Sequence, residues 1–381
     1  MADLRRATLE TAEDIAAIRG DLIPNNLDRH RARLCLIHGI RYNDGFAQEL
    51  REAHPEYPKI TRALNAREIM SNRLPDMANQ EEFPYCFWYP DVPSEETLRQ
   101  LLKRYPENIL LRYQVGRACA VGCYTTLYSE LQILPDVAIA EEARDSGSGK
   151  AIYELIMRAP IRYFYMDDYN RCLQETPVAG AFLNGDTCVR SILDKKQLVS
   201  ATRFGVLSQP SFDITEDWSV DVEGLPLGDH PVDPIAISLL HSPLPPDLPT
   251  VDKDLLIAMA AWTGNIDRYA RLHRPVWVLG ERACVLRGIY HHPLFAKWIT
   301  THLRGDAWDS FFRAAIHARC IMSNDLSWLT DDGVPENELP ELIWYPQHAH
   351  QSTYEELARR RPCMKPQISR ACIHADYEEL F

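Results

Sequence analysis

Two acidic clusters hold the residues whose types and spacing are best suited to chemistry. The first is Met166-Asp-Asp-Tyr-Asn-Arg171, preceded by the aromatic run IRYFYM. The second, Asn324-Asp-Leu-Ser-Trp-Leu-Thr-Asp-Asp332, begins 157 residues after Asp167. Hard cations take oxygen ligands, so Asp167, Asp168, Asn324 and Asp325 are candidate Mg²⁺ ligands. A metal held there would clamp a diphosphate and, with basic side chains, neutralise the charge that grows as it leaves. Arg287, Lys297 and Arg319 stand in the same part of the chain as the second cluster and are candidate partners for that diphosphate. Tyr290 and Phe295 are candidate substrate contacts. Trp328 and Trp344 offer aromatic faces that steady a carbocation by cation–π attraction.

The pattern departs from the usual one. A D-D-x-x-D/E motif needs an acid where Arg171 stands. An N-D-x-x-S-x-x-x-E motif needs Ser at position 328, which is Trp; Ser327 is one place early, and Asp332 replaces the Glu. The competing reading makes both clusters caps: Asp167 or Asp168 in a loop, and Asn324 or Asp325 opening a turn. Arg319 has a twin in Arg67, which favours a shared structural salt bridge. The Trp-Tyr-Pro element also occurs twice, as a packing corner would. Phosphate-loop, dinucleotide, zincin and serine-hydrolase motifs are absent. The pairs His291-His292 and His348-x-His350 lack partners at zinc-site spacing.

The elements that must position these residues repeat. Residues 33–127 recur as residues 282–381 in four ordered blocks. Arg33-Leu-Cys-Leu-Ile-His-Gly-Ile40 matches Arg282-Ala-Cys-Val-Leu-Arg-Gly-Ile289, and each copy then reaches Phe-Ala. Ala66-Arg-Glu-Ile-Met-Ser-Asn72 matches Ala318-Arg-Cys-Ile-Met-Ser-Asn324. Phe87-Trp-Tyr-Pro90 matches Ile343-Trp-Tyr-Pro346. Gln114-Val-Gly-Arg-Ala-Cys119 matches Gln367-Ile-Ser-Arg-Ala-Cys372, with Tyr124 and Leu127 matching Tyr377 and Leu380. The offset drifts only from 249 to 256. Asn72 is followed by Arg73, so the acidic extension belongs to the second copy alone.

Apolar residues at helical spacing predict helices over Glu95–Arg104, Tyr113–Leu131, Lys150–Arg158, Asp254–Leu272, Leu294–Leu303 and Thr353–Arg361. Residues 118–131, 178–193 and 256–272 each join small residues, a turn and an apolar helix ending on Leu. That is the order of inner helix, turn and outer helix in an ankyrin repeat, although the regular spacing and the T-P-L-H opening are missing. The expected fold is therefore all-α, an internally duplicated, degenerate ankyrin-like set of helical hairpins. Its expected parts are copy one (1–150), central helical hairpins (151–208), a Pro-rich connector (209–253) and copy two (254–381).

Composition limits the partners. Charged residues are 25% and hydrophobic residues 46%, which suffices for a real core. A net charge of −13 with no basic stripe argues against duplex nucleic acid. Ten scattered cysteines without a CxxC pair point to small buried thiols, not a disulfide framework. No apolar run is long enough to span a bilayer, and the first twenty residues lack a signal-peptide core. A cytoplasmic protein is expected.

The blocks CVLRGIYHHPLFAKW, HARCIMSNDLSWLT, LPELIWYP and QISRACIHADYEEL resemble a family of fungal, ankyrin-like helical proteins. The chain also resembles, less specifically, the atypical fungal sesquiterpene cyclases of the humulene type, helical class I enzymes that lack the standard motifs. That resemblance implies farnesyl diphosphate as substrate, Mg²⁺ as cofactor and a place in fungal secondary metabolism. The alternative expectation is a non-enzymatic, ankyrin-like protein-interaction scaffold. A third is another secondary-metabolism enzyme built on the same helical cavity.

Overall fold

The computed structural model describes residues 12–52, 57–185, 187, 234–251, 253–275, 277–278, 280–303, 305, 308–329 and 334–380. The chain is mostly helical. It divides into two compact units: Met1–Ile237 with Pro243–Asp252, and Ser238–Ser242 with Lys253–Phe381.

In the first unit, α1 (Ala12–Arg19) packs on α2 (His30–Tyr42), followed by α3 (Asp44–Glu52) and α4 (Pro58–Met70). Ser94 and Asn108 then start α5 (Glu95–Arg104) and α6 (Ile109–Gly122), their side-chain oxygens accepting from the amides of Thr97 and Leu111. Each side chain thereby satisfies an amide that a helix start leaves open. Next come α7 (Thr125–Glu130), α8 (Val137–Ser146) and α9 (Lys150–Met157). Strands β1 (Tyr163–Asp167) and β2 (Cys172–Ala179) close an antiparallel hairpin. Phe87, Trp88, Leu98, Leu101, Val115 and Ile139 are fully buried in the core of this unit.

After α10 (Pro234–His241), the second unit runs through α11 (Asp254–Trp262), α12 (Ile266–Leu272), α13 (Glu281–His291), α14 (Pro293–Thr300) and α15 (Asp309–Met322). It continues into α16 (Gln351–Arg360) and α17 (Lys365–Ala375). Ile343, Tyr354, Leu357 and Ala371 are fully buried in its core.

Several expectations need correction. The fold is not all-α, because the aromatic run before Asp167 forms β1; Tyr, Phe and Met alternate well on a pleated strand. Helical hairpins over 151–208 reduce to α9 and the β-hairpin, and residues 188–208 lie outside the described residues. The helix expected over Tyr113–Leu131 breaks at Cys123, where φ is +61°. That over Asp254–Leu272 breaks at Gly264, where φ is +62°. Of the connector, 209–233 lies outside the described residues, while 234–241 is helical. Its Pro-rich end is packed into the first unit: Leu248 and Val251 are buried, and the amide of Leu248 donates to Leu183 O at 3.1 Å.

Matched positions in the two units carry the same local geometry. Asn72 and Asn324 both have φ +62° and end their helices. Asn72 Oδ1 accepts from Ser94 N (2.6 Å) and Thr97 Oγ1 (3.0 Å). Asn324 Oδ1 accepts from His350 N (2.7 Å) and Thr353 Oγ1 (2.9 Å). Tyr89–Pro90 and Tyr345–Pro346 are both cis. Cys123 and Asp376 cap α6 and α17 at φ +61° and +60°. The matched glycines of the first sequence block share a close approach as well. A Cβ on Gly39 would stand 2.1 Å from Ala17 O of α1, and one on Gly288 2.2 Å from Ala261 O of α11.

Both glycines are required by close helix crossings. Gly39→Ala and Gly288→Ala should each cost about 1–3 kcal/mol, because the crossing must open. Gly45→Ala, whose nearest neighbour would be 3.6 Å away, should be neutral or slightly stabilising. Urea midpoints followed by circular dichroism test this; equal midpoints for Gly39→Ala and Gly45→Ala would disprove the α1–α2 crossing.

Candidate functional site

The most concentrated electrostatics lie on α6 of the first unit. Tyr113, Gly116, Arg117 and Ala120 form one stripe of that helix, and α8 packs over it. The approach is close, since a Cβ on Gly116 would meet Ile133 at 2.7 Å and Ile139 at 3.0 Å. Arg117 is fully buried. Its Nη1 and Nη2 donate to the two oxygens of Asp168 at 2.5 and 3.2 Å. Nη2 also lies 3.3 Å from Glu142 of α8. The guanidinium sits 5.0 Å from the ring centroid of Trp88. Tyr85 Oη donates to Asp168 at 2.5 Å. Bidentate geometry and charge-assisted bonds make such a pair strong.

Two further acids hold the frame. Asp136 caps α8 through the amide of Ala138 and accepts from Tyr165 N and Met166 N of β1. Burial pushes its carboxyl up to about 6. Glu141 accepts from Asn184 N and pairs with Arg144; burial pushes it up to about 7. Burial also raises the carboxyl of Asp168 against the pull of Arg117, and carries the Tyr85 hydroxyl well above its ordinary range.

The proposed Mg²⁺ ligands are otherwise engaged. Asp167 Oδ1 accepts from Tyr169 N and Asn170 N, and Oδ2 from the side chains of Asn170 and Gln174, at 2.8–3.0 Å. It fastens the hairpin turn in which Arg171 takes φ +56°. Asp168 belongs to Arg117 and Tyr85. Asn324 is occupied by His350 and Thr353, while Asp325 accepts from Ser327 N at 2.8 Å. The first pair and the second fall in different units. Asp331 and Asp332 lie outside the described residues. Among the described residues, no three His, Cys, Asp or Glu side chains are grouped to hold a metal. Each of these four donors is thus engaged in bonds within its own unit.

The remaining candidates are also accounted for locally. Arg287 donates to Trp262 O at 2.5 Å and lies 4.1 Å from that ring. Arg319 is buried and donates to Tyr290 O and Ser323 Oγ; its twin Arg67 donates to Arg41 O and pairs with Asp91 at 2.7 Å. The shared contacts are thus to a carbonyl and to the serine four residues on, and the salt bridge is made by Arg67. Phe295 is buried against Tyr269 and Gly288. Lys297 is exposed. Trp328 stacks on His317 at 4.1 Å, and Trp344 is half-buried. A polar cavity of about 240 Å³ opens beside Tyr85, lined by Arg62, Gln80, Glu81, Asn108, Gln114 and Arg171.

Residues 88–184 match the family model described as the YKP1 C-terminal domain. This quarter of the chain spans α5 to α9 and the hairpin, and it contains Trp88, Arg117, Glu142 and Asp168. A comparison with curated proteins and with solved structures returns no match. None of these comparisons carries the resemblance to sesquiterpene cyclases. No helix among the described residues is long and apolar enough to cross a membrane.

Residue-type reasoning singled out Asp168 but missed Arg117, Glu142 and Tyr85, the groups that define its role. The one signal was the recurring Arg-Ala-Cys block. Arg117→Leu would leave two buried carboxylates without a counter-charge and should cost about 3–5 kcal/mol. Arg370→Leu, at the matched but exposed position, should stay within about 0.5 kcal/mol. Thermal and urea unfolding check the contrast; equal costs would remove the buried cluster as the anchor of the first unit. A second test concerns pH. The folded chain keeps a proton on Glu141 up to about pH 7, whereas the unfolded chain releases it near 4.5. Stability from this group is therefore full below about pH 4.5 and declines as pH rises to 7, by up to about 3 kcal/mol. Glu141→Gln should flatten the part of the stability–pH curve between pH 6 and 7 relative to the natural chain.

Proposed function

We propose that the chain is an internally duplicated helical scaffold that binds another protein through its helical surface, with its buried charges serving packing. One observation carries this reading. Asn324, the residue that would head a metal motif, makes the same two hydrogen bonds as Asn72, which heads none. The shared clamps, cis prolines and left-handed caps support descent of both halves from one helical unit. The helix–turn–helix pairs α6–α7 and α11–α12 support the ankyrin-like flavour of that unit. A cytoplasmic setting belongs to the same proposal.

The farnesyl diphosphate reading gives the scaffold its sharpest test. The full chain, incubated with farnesyl diphosphate and Mg²⁺, should release no more pyrophosphate or hydrocarbon than buffer alone. Asn72→Ala and Asn324→Ala should each lower stability by about 0.5–2 kcal/mol, as loss of a turn-capping side chain does. A hydrocarbon product that disappears in Asp325→Asn would overturn the scaffold reading in favour of a cyclase.

A further inference from the structure

We propose that the polar cavity beside Tyr85 is a binding site for a neutral, polyhydroxylated molecule the size of a single sugar ring. This goes beyond the scaffold reading and does not depend on it.

The cavity lies within the first unit. Arg62 comes to it from α4, Asn108 and Gln114 from α6, and Asn170 and Arg171 from the turn between β1 and β2. Three of its lining residues carry side-chain amides that each have one end committed elsewhere. Gln114 is only 2% exposed. Its nitrogen donates to Pro84 O and Tyr85 O at 3.1 and 2.7 Å, and its carbonyl oxygen has no hydrogen-bond partner among the described residues. Asn170 is fixed in the same sense, its nitrogen donating to Asp167 Oδ2 at 2.8 Å. Asn108 is fixed in the opposite sense. Its Oδ1 caps α6 by accepting from Leu111 N at 2.9 Å, which leaves its two amide protons. The bonds that shape the cavity therefore leave two acceptors and one pair of donors uncommitted in its wall.

The class of ligand follows from that pattern. An anion offers acceptors only, so it would leave the oxygen of Gln114 unmet and bring a second negative charge to Glu81, which is exposed in the same lining. A cation offers donors only, and it would meet the guanidiniums of Arg62 and Arg171. A hydroxyl both donates and accepts, so several hydroxyls on one compact frame answer Gln114, Asn170 and Asn108 together. Phe83 and Leu110, both half-buried, give the wall an apolar side for the carbon face of such a frame. At about 240 Å³ the cavity is smaller than the usual site for a drug-sized ligand, about 300–1,000 Å³, and suits one ring rather than a chain of them. The groups are also held in place before a ligand arrives. Asp167 locks the turn that carries Asn170, the cap fixes Asn108, and two carbonyls fix Gln114.

Calorimetric titration of the full chain with D-glucose, D-galactose, D-mannose and myo-inositol tests the site, with inorganic phosphate and citrate as the anionic probes. At least one neutral probe should bind saturably, with a Kd on the order of 1 mM. Asn108→Ser keeps a capping oxygen for α6 but removes the amide, and should weaken that binding about fivefold, the effect of one lost hydrogen bond. The variant must keep the natural melting temperature. If it does not, Gln80→Ala at the exposed rim of the cavity takes its place, with the same weakening expected. No binding of any neutral probe up to about 20 mM overturns the site. So does binding that is indifferent to the variant, because the ligand then sits elsewhere. Phosphate or citrate binding more tightly than every neutral probe, and losing that advantage in Arg171→Gln, overturns the neutral class in favour of an anion.

Discussion

Taking a guanidinium and two carboxylates out of water costs several kcal/mol per ion, and only a complete set of short bonds offsets it. Arg117, Glu142 and Asp168 face that condition together, because all three are buried. Much of the first unit follows from meeting it. Gly116 lets α8 come close enough for Glu142 to reach. Asp136 ties the start of α8 to β1, which fixes the hairpin whose turn delivers Asp168. Asp167 locks that turn with four hydrogen bonds of its own. Trp88 closes the remaining side with an aromatic face. Arg117 would keep only one of its two carboxylates if either α8 or the hairpin opened, so these elements are coupled through it.

The second unit repeats the helices and turns without this condition. Its clamp at Asn324, its cis proline at 346 and its left-handed cap at Asp376 equal those of the first unit. Yet Arg370 sits in water, where one charge costs little. The conserved part of the geometry is local, made of caps and turns that a few residues determine. The part that differs is long-range, made of what packs over α6 and α17.

The same division explains what the sequence made legible. Helix starts at Ser94 and the matched Asn, Trp-Tyr-Pro and Arg-Ala-Cys blocks were readable, because their conformations depend on neighbours within a few residues. The break at Cys123 was not, since a left-handed cysteine has no compositional mark of the kind glycine provides. The run before Asp167 falls within the stretch expected as helical hairpins, although its aromatic residues suit a pleated strand. Asp168 was chosen for its type, but its partner lies 51 residues away on α6, beyond any local pattern. The match of α1 with α11 rests on little more than Ala-x-x-Gly, too short to register as a repeat.

The asymmetry that made Asp325 look functional has a structural origin. Its matched residue, Arg73, pairs with Asp44 at the start of α3. Asp44 also accepts from Ser71 and Gln48, and its carboxyl is held well below the usual range by Arg73 above all. In the second unit the residue matched to Asp44 is Pro293, which opens α14 and offers no carboxylate. With that anchor gone, an arginine after Asn324 would have nothing to bind there. Ser323, the match of Ser71, keeps that residue's bond to the helix arginine, accepting from Nε and Nη2 of Arg319 at 3.3 and 3.2 Å where Ser71 accepts from Arg67 Nε at 3.1 Å, and loses only the bond to Asp44. Asp325 is left to fasten its own turn through Ser327. The exchanges of Asp44 for Pro293 and of Arg73 for Asp325 are therefore one change: an ion pair between two helix ends, replaced by a proline start and an aspartate turn.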